Sequence, residues 1–307
     1  AMIEAYILNA NHKLPEFAYE VLKKVPREDI AHTLQQVTID LIKKYIYPLK
    51  TCDNICLAGG VAYNGYMNEE LTKHYKNVHV PPAVGDEGQA LGTYMHADYV
   101  LNQNVHMPTV FAGPDQKVHE PMLLDYKGVQ YSNGDLYKEV ATAISKGSIV
   151  GWYQGRSESG NRALGNRSIL ADPRNPDIKD IINNKIKKRE DFRPFAPSVL
   201  EEHYKEYFDT TQPSPYMSRI MPVKSDKIPG VTHVDNTARI QTVNKEFNYK
   251  FYKLIEAFYN LTGIPMLLNT SFNCQEPMVE TPEDAINTFN NTDLDMLVIN
   301  DWIIRKN

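Results

Sequence analysis

Between Gly155 and Arg193 the chain gathers residues that bind anions. The run GRSESGNRALGNRSILADPR, residues 155–174, spaces Arg156, Arg162, Arg167 and Arg174 among Gly155, Gly160 and Gly165. Lys185, Lys187, Lys188, Arg189 and Arg193 follow closely. From Arg156 to Arg193, ten Lys and Arg stand against six Asp and Glu, in a chain whose net charge is −5. A local cationic field on an acidic protein matches a small anionic substrate better than a long polyanion. Arginine forks take phosphate or carboxylate oxygens in pairs, while lysine acts as a point charge. Glycines among them let the backbone approach the anion closely. A solvated basic face is the plainer alternative.

Three other segments could contribute chemistry. In LAGGVAYN, residues 57–64, an apolar strand ends in Gly59-Gly60 before a helix that includes Asn64. Bare N–H groups at such a junction favour a nucleotide or another polar ligand, although a simple tight turn reads the same way. In VGDEG, residues 84–88, Asp86 and Glu87 open a helix. They can complement its dipole, or Asp86 can be an oxygen ligand of a divalent metal. One carboxylate is not a site, and His74, His79 and His96 show no HxxxH spacing. In LLNTSFN, residues 267–273, a strand ends in Asn269, Thr270, Ser271 and Asn273. Amide and hydroxyl side chains there suit a phosphate or a carbamoyl group, or form an Asx or hydroxyl turn. Thr281-Pro282-Glu283-Asp284 reads as plain helix capping. The sequence has no GxxxxGK[ST], GxSxG or HExxH, which removes P-loop kinases, lipase-like hydrolases and zincins.

The elements that must position these residues alternate as an α/β protein does. Apolar spacing predicts a helix over 28–49, a strand over 54–58, a helix from about residue 62 to 74, a strand over 78–80 and a helix from Gly88 past Tyr99. This block begins in mid-pattern, like the back half of a domain. Pro108, Gly113-Pro114 and Pro121 interrupt periodicity. The expected division is a first domain over 1–110, a linker over 111–130 and a second domain over 131–307. In the second domain the pattern predicts helices over 135–146, 247–261 and 282–291, and strands over 148–153, 217–223, 266–268 and 296–299.

Composition is that of a soluble globular protein, 42% hydrophobic and 23% charged over 307 residues. No uninterrupted apolar run is long enough to cross a bilayer, and no secretory leader pattern opens the chain. Cys52, Cys56 and Cys274 are too few for a disulfide framework, so reduced thiols and a cytoplasmic location are expected.

Taken together, GRSESGNRALGNRSILADPR, KIKKREDFRPFAPSVL, THVDNTARIQTV and TGIPMLLNTSFN make the chain resemble the NodU/CmcH carbamoyltransferase family, from about residue 28 to 307. The resemblance implies a partial actin-like lobe followed by a YrdC-like α/β domain with a mixed, twisted sheet. In that family the YrdC-like domain makes carbamoyl-adenylate from carbamoyl phosphate and ATP, releasing pyrophosphate, and the actin-like domain moves the carbamoyl group to a hydroxyl of an acceptor. It assigns the carbamoyl-phosphate and ATP contacts to Arg162, Lys187, Arg193, Arg239 and Ser271, with Arg167, Arg189, Asn269, Thr270 and Asn273 in the same motifs. Lys187-Lys188-Arg189 also resembles the KxR signature of YrdC proteins. Gly59, Gly60 and Asn64 match the adenylate-holding turn of the transfer domain, and Asp86 its metal-ligand aspartate. The implied cofactors are ATP with Mg and, at the transfer site, Fe(II) or another divalent metal. The family's remaining ligands are a histidine pair on an N-terminal lobe absent from this chain, so a separate lobe or subunit is the implied partner, beside a small hydroxylated acceptor. Homo- or hetero-oligomers are both compatible, and no membrane partner is implied. Carbamoyl phosphate and ATP together bring about six negative charges, which several converging cations would hold side by side. A nucleoside- or nucleic-acid-modifying carbamoyltransferase is a second reading, opposed by the net charge. A non-catalytic nucleotide-binding subunit is a third.

Overall fold

A computed structural model describes residues 16–103 and 109–306. After a short helix, α1 (Glu16–Leu22), the first long element is α2 (Arg27–Ile46). Glu28 and Asp29 in its first turn and Lys43 and Lys44 in its last complement the helix dipole. It buries only Leu41. Strands β1 (Asn54–Cys56) and β2 (Asn77–His79) pair in parallel. Between them lie a 3₁₀ turn, Gly60–Tyr63, and helix α3 (Gly65–Leu71). Helix α4 (Gly88–Asn102) follows and has no buried residue. The buried apolar residues of this first region are few: Ala62, Val80 and Val84 form one cluster, and Leu41, Met67, Leu71 and Tyr75 are buried as well.

The second region is organised by an eight-stranded mixed sheet in the order β3-β12-β11-β4-β5-β10-β6-β9. Its strands are β3 (Val129–Gln130), β4 (Val150–Tyr153), β5 (Arg167–Ala171), β6 (Ala196–Leu200), β9 (Gln241–Val243), β10 (Met266–Ser271), β11 (Met296–Ile299) and β12 (Trp302–Arg305). Strands β4, β5 and β6 are buried along their whole length, as expected of a central sheet covered on both faces. A side hairpin pairs β7 (Ile220–Pro222) with β8 (Thr237–Arg239). Helices α5 (Glu120–Asp125), α6 (Asn133–Ser145), α7 (Ile178–Ile181), α8 (Tyr249–Thr262) and α9 (Pro282–Asn290) pack in this region, beside a one-turn helix at Tyr204–Tyr207. Helix α8 is bounded as its sequence dictates. The Asn248 side chain accepts from Phe251 N–H at 3.1 Å, and Gly263 takes φ +72° at its end. The Thr281–Asp284 capping box that opens α9 is formed on both sides.

Several expectations shift. The segment read as a linker supplies α5 and β3, and Leu123 of α5 is fully buried in the main core. The helix expected to run to His74 stops at Leu71, and the strand expected through Ala58 stops at Cys56. Strands β5, β6, β8, β9 and β12 carried no clean alternation: β5 begins with an arginine, and β6 contains Pro197. Among the described residues no helix is long and apolar enough to cross a membrane.

Candidate active site

Sheet register brings the motif residues to one place. Strand β10 runs antiparallel to both β5 and β6, with Ser271 opposite Ser168 and Asn269 opposite Ala196. The C-terminal end of β10 therefore meets the loops that enter β5 and β6. Those loops carry Arg162 on one side and Arg189 and Arg193 on the other. The end of β8 adds Arg239. A cavity of about 430 Å³ opens there, walled by Arg162, Arg189, Arg193, Arg239, Asn269, Thr270 and Ser271. This is ample for a small anionic ligand.

The cations differ in how they are held. The Arg162 guanidinium has no hydrogen bond or ion pair among the described residues, and burial lowers its pKa. Arg239 donates to the Met217 carbonyl at 3.1 Å. Burial, and then the nearby Arg162, push it down to about 10. Arg189 donates to Asn183 Oδ1 at 2.8 Å and sits 5.0 Å from the Phe195 ring centre. Arg193 pairs with Glu190 at 3.0 Å, where both are half-exposed. Such an exposed pair contributes little and can open for a ligand.

Lys187 ends a single π-helical stretch, Ile182–Lys187, and is 2% exposed. Its ammonium donates to the Ser271 carbonyl at 2.5 Å, the Asn273 carbonyl at 3.0 Å and Asn273 Oδ1 at 2.7 Å, with Ser271 Oγ at 3.2 Å. Burial, and then Arg189, push Lys187 down to about 7. Lys187, Asn273 and Ser271 line a second hollow of about 620 Å³, which shares Arg189, Arg193 and Ser271 with the first. Two adjoining anionic ligands therefore have room side by side.

Other expected residues do not reach the cavity. Arg167 is fully buried and spends its guanidinium on the carbonyls of Gln154, Asn166, Gly155 and Glu280, at 2.7 to 3.3 Å, above the Tyr153 ring. Arg156 donates to the Gly113 carbonyl, and Arg174 pairs with Asp172. Of the four arginines in the run, only Arg162 lines the cavity. The glycines likewise serve the protein. Gly160, at φ +101°, would place a Cβ 2.4 Å from the Pro82 carbonyl, and Gly165, at φ +106°, 2.2 Å from the Phe251 ring. The buried Glu158 carboxylate holds the loop by accepting from the N–H groups of Leu164, Asn166 and Arg167 at 2.7, 2.8 and 3.2 Å.

Gly59, Gly60, Asn64 and Asp86 stand apart from this cavity. Gly59 takes φ +95°, and both glycines face open space. Asn64 caps α3 and pairs with Gln35. Asp86 is exposed, with Gln89 Nε2 at 3.4 Å. Among the described residues no three His, Cys, Asp or Glu side chains are grouped to hold a metal. A closed zinc-type site takes three or more protein donors, and the residues described around Asp86 do not supply them.

The wall also contains two titratable residues beyond the sequence expectations: Tyr66, on α3, reaches across from the first region, and His233 stands in the THVDNTAR motif six residues before Arg239. The His233 position was legible in that motif. Tyr66 carried no sequence signal.

Comparison with known proteins places the chain in a family. The family model for the carbamoyltransferase C-terminus matches residues 141–306, and that for the carbamoyltransferase N-terminus matches residues 4–95. The chain belongs to the carbamoyltransferase family. Within it, the chain is similar to an uncharacterized Synechocystis protein, 40% identical over 91% of this chain and 52% of that one. Nodulation protein NolO of Bradyrhizobium diazoefficiens is 43% identical over 82% of this chain and 49% of its own length. The chain thus spans about half the length of these relatives. Among solved structures, full-length HypF in its phosphate- and nucleotide-bound form aligns with a TM-score of 0.40 at 17% identity, over 58% of this chain and 23% of that one.

Proposed function

We propose that this chain carries the carbamoyl-activating site of an ATP-dependent O-carbamoyltransferase. The observation that carries the reading is the pair Arg162 and Arg239. Both are desolvated, both face one cavity, and no carboxylate neutralises either. Buried unpaired charge is costly, and a multiply charged anion relieves that cost. Thr270 adds a hydroxyl donor at the same strand end, where the Ser271 hydroxyl donates to Asn273 Oδ1 at 2.8 Å, and Arg189 and Arg193 extend the field into the adjoining hollow.

In this reading carbamoyl phosphate and ATP lie side by side. Atom balance then requires one water: it takes the phosphoryl group as inorganic phosphate, and the carbamate oxygen displaces pyrophosphate from the α-phosphorus of ATP. Arg162, Lys187, Arg193 and Arg239 stabilise the charge that shifts during these steps, and Mg arrives with the nucleotide. We read the second region as the YrdC-like domain and residues 1–110 as part of an actin-like transfer lobe. Transfer to a hydroxylated acceptor then needs a further lobe or subunit, because Asp86 has no fellow ligands among the described residues.

Carbamoyl-phosphate-dependent exchange of labelled pyrophosphate into ATP tests the proposal. Exchange is expected with this chain and magnesium, and its loss is expected in Arg239→Ala and Lys187→Ala. A folded chain without exchange would overturn the adenylation step.

A further inference from the structure

Hydrogen-bond bookkeeping on the cavity wall fixes the position of one proton. The Tyr66 hydroxyl donates to Asp235 Oδ2 at 2.5 Å, and the Thr237 hydroxyl to Asp235 Oδ1 at 2.6 Å. Burial pushes the Asp235 carboxyl up, but the Thr237 and Tyr66 donors outweigh it and hold the group below the usual carboxylate range. Asp235 is then ionised and accepts only. Each hydroxyl has a single hydrogen, and both hydrogens are spent on Asp235. His233 Nδ1 lies 3.1 Å from Thr237 Oγ1, which can now only accept. Nδ1 must carry the hydrogen.

His233 is also neutral. Burial pushes it down to about 4; Asp235 pulls the other way and Arg239 reinforces the fall. A neutral imidazole has one N–H, so Nε2 presents a bare lone pair. That nitrogen has no partner among the described residues and is not sealed from the cavity that His233 lines. It is an acceptor in a cavity that also holds the donors Arg162 and Arg239. Asn269 Oδ1, another unpaired acceptor on the wall, is sealed from solvent, and the exposed Asn161 amide lies at the rim.

We propose that His233 Nε2 accepts a hydrogen bond from the amino group of the carbamoyl substrate, with Asp235 and Thr237 as positioning residues that hold its tautomer. This rests on the reading of the cavity given above. In carbamoyl phosphate the phosphate and carbonyl oxygens accept from Arg162 and Arg239. The amino group is the substrate's donor, and it needs an acceptor close to those cations. Acetyl phosphate offers the same oxygens with a methyl group in that place. A site built to pair a polar group rejects the analogue that lacks it.

The test is calorimetric binding of carbamoyl phosphate, acetyl phosphate, inorganic phosphate and ATP to the wild type, His233→Phe and His233→Gln, beside ¹⁵N spectra of the wild-type imidazole. The wild type is expected to prefer carbamoyl over acetyl phosphate by about tenfold or more. His233→Phe should reduce that preference to about twofold, leaving inorganic phosphate and ATP bound, and His233→Gln, which keeps an acceptor, should restore part of it. The spectra should show protonated Nδ1 and bare Nε2, with Nε2 shifting on carbamoyl phosphate and not on acetyl phosphate. Three results overturn the inference: a protonated Nε2, an undiminished preference in folded His233→Phe, or a variant that loses ATP affinity while keeping the preference. A wild type that binds neither carbamoyl phosphate nor inorganic phosphate instead overturns the reading of the cavity.

Discussion

Burial lowers the affinity of Arg162 and Arg239 for protons, Arg162 lowers that of Arg239 further, and neither has a carboxylate partner among the described residues. The folded chain therefore holds a repulsion that an anion relieves. Arg162→Met should stabilise the unliganded chain by about 1 kcal/mol, read as a rise in melting temperature. The same change should weaken carbamoyl phosphate binding about 30-fold, the loss of one charge-assisted contact of about 2 kcal/mol. Lys187 makes a pH prediction. Its folded value, about 7, lies below the ordinary lysine value of 10.5. Between those values the unfolded chain binds the proton and the folded chain does not, so stability rises with pH from about 7 to about 10. Below about 7 both states are protonated and the contribution vanishes. An anion bound beside Lys187 raises its affinity for the proton again. Binding at pH 8 should take up a proton, measurable by calorimetry in buffers of different ionisation heat, and Lys187→Met should abolish both the stability slope and the uptake.

The cationic run from Gly155 to Arg174 was readable for its charge and misleading about where that charge goes. Arg162 faces the cavity, but Arg167 is caged by four carbonyls and Arg174 by Asp172. One-dimensional spacing cannot separate a guanidinium that binds a ligand from one that ties a loop, because both need the same donors. The glycines show the same ambiguity. Gly165→Ala combines a left-handed φ with a Cβ driven into the Phe251 ring, and should cost about 2–4 kcal/mol in denaturant titration. Helices with an apolar face and clear caps, α8 and α9, were legible nearly to the residue. Strands β5, β6 and β12 were not, because a strand buried on both faces or opened by a charged residue lacks alternation. In the site, β10 and the arginines of three motifs were legible. The approach of Tyr66 to Asp235 was not, since 169 residues separate them and only the tertiary fold joins them.

At the scale of the molecule, the two regions meet along a polar seam. Asn68 donates to the Ser218 carbonyl at 2.8 Å, Val78 N–H to Gln212 Oε1 at 3.0 Å, and Arg219 faces Glu69 at 3.5 Å with both side chains largely buried. Removing one partner of a buried pair strands the other. Arg219→Ala should cost about 3 kcal/mol and expose the first region to proteolysis before the sheet yields. That region buries only a handful of apolar side chains, among them the cluster of Ala62, Val80 and Val84, and its helix α4 buries no residue. Tyr66 nevertheless reaches from it into the cavity wall and holds Asp235. The durability of the ligand site is thus set by the smaller core and not by the large sheet beneath it. On gradual heating, carbamoyl phosphate binding should fade several degrees before the tertiary signal of Trp152 changes, and a partner that covers α4 would lengthen the working life of a cavity it never touches.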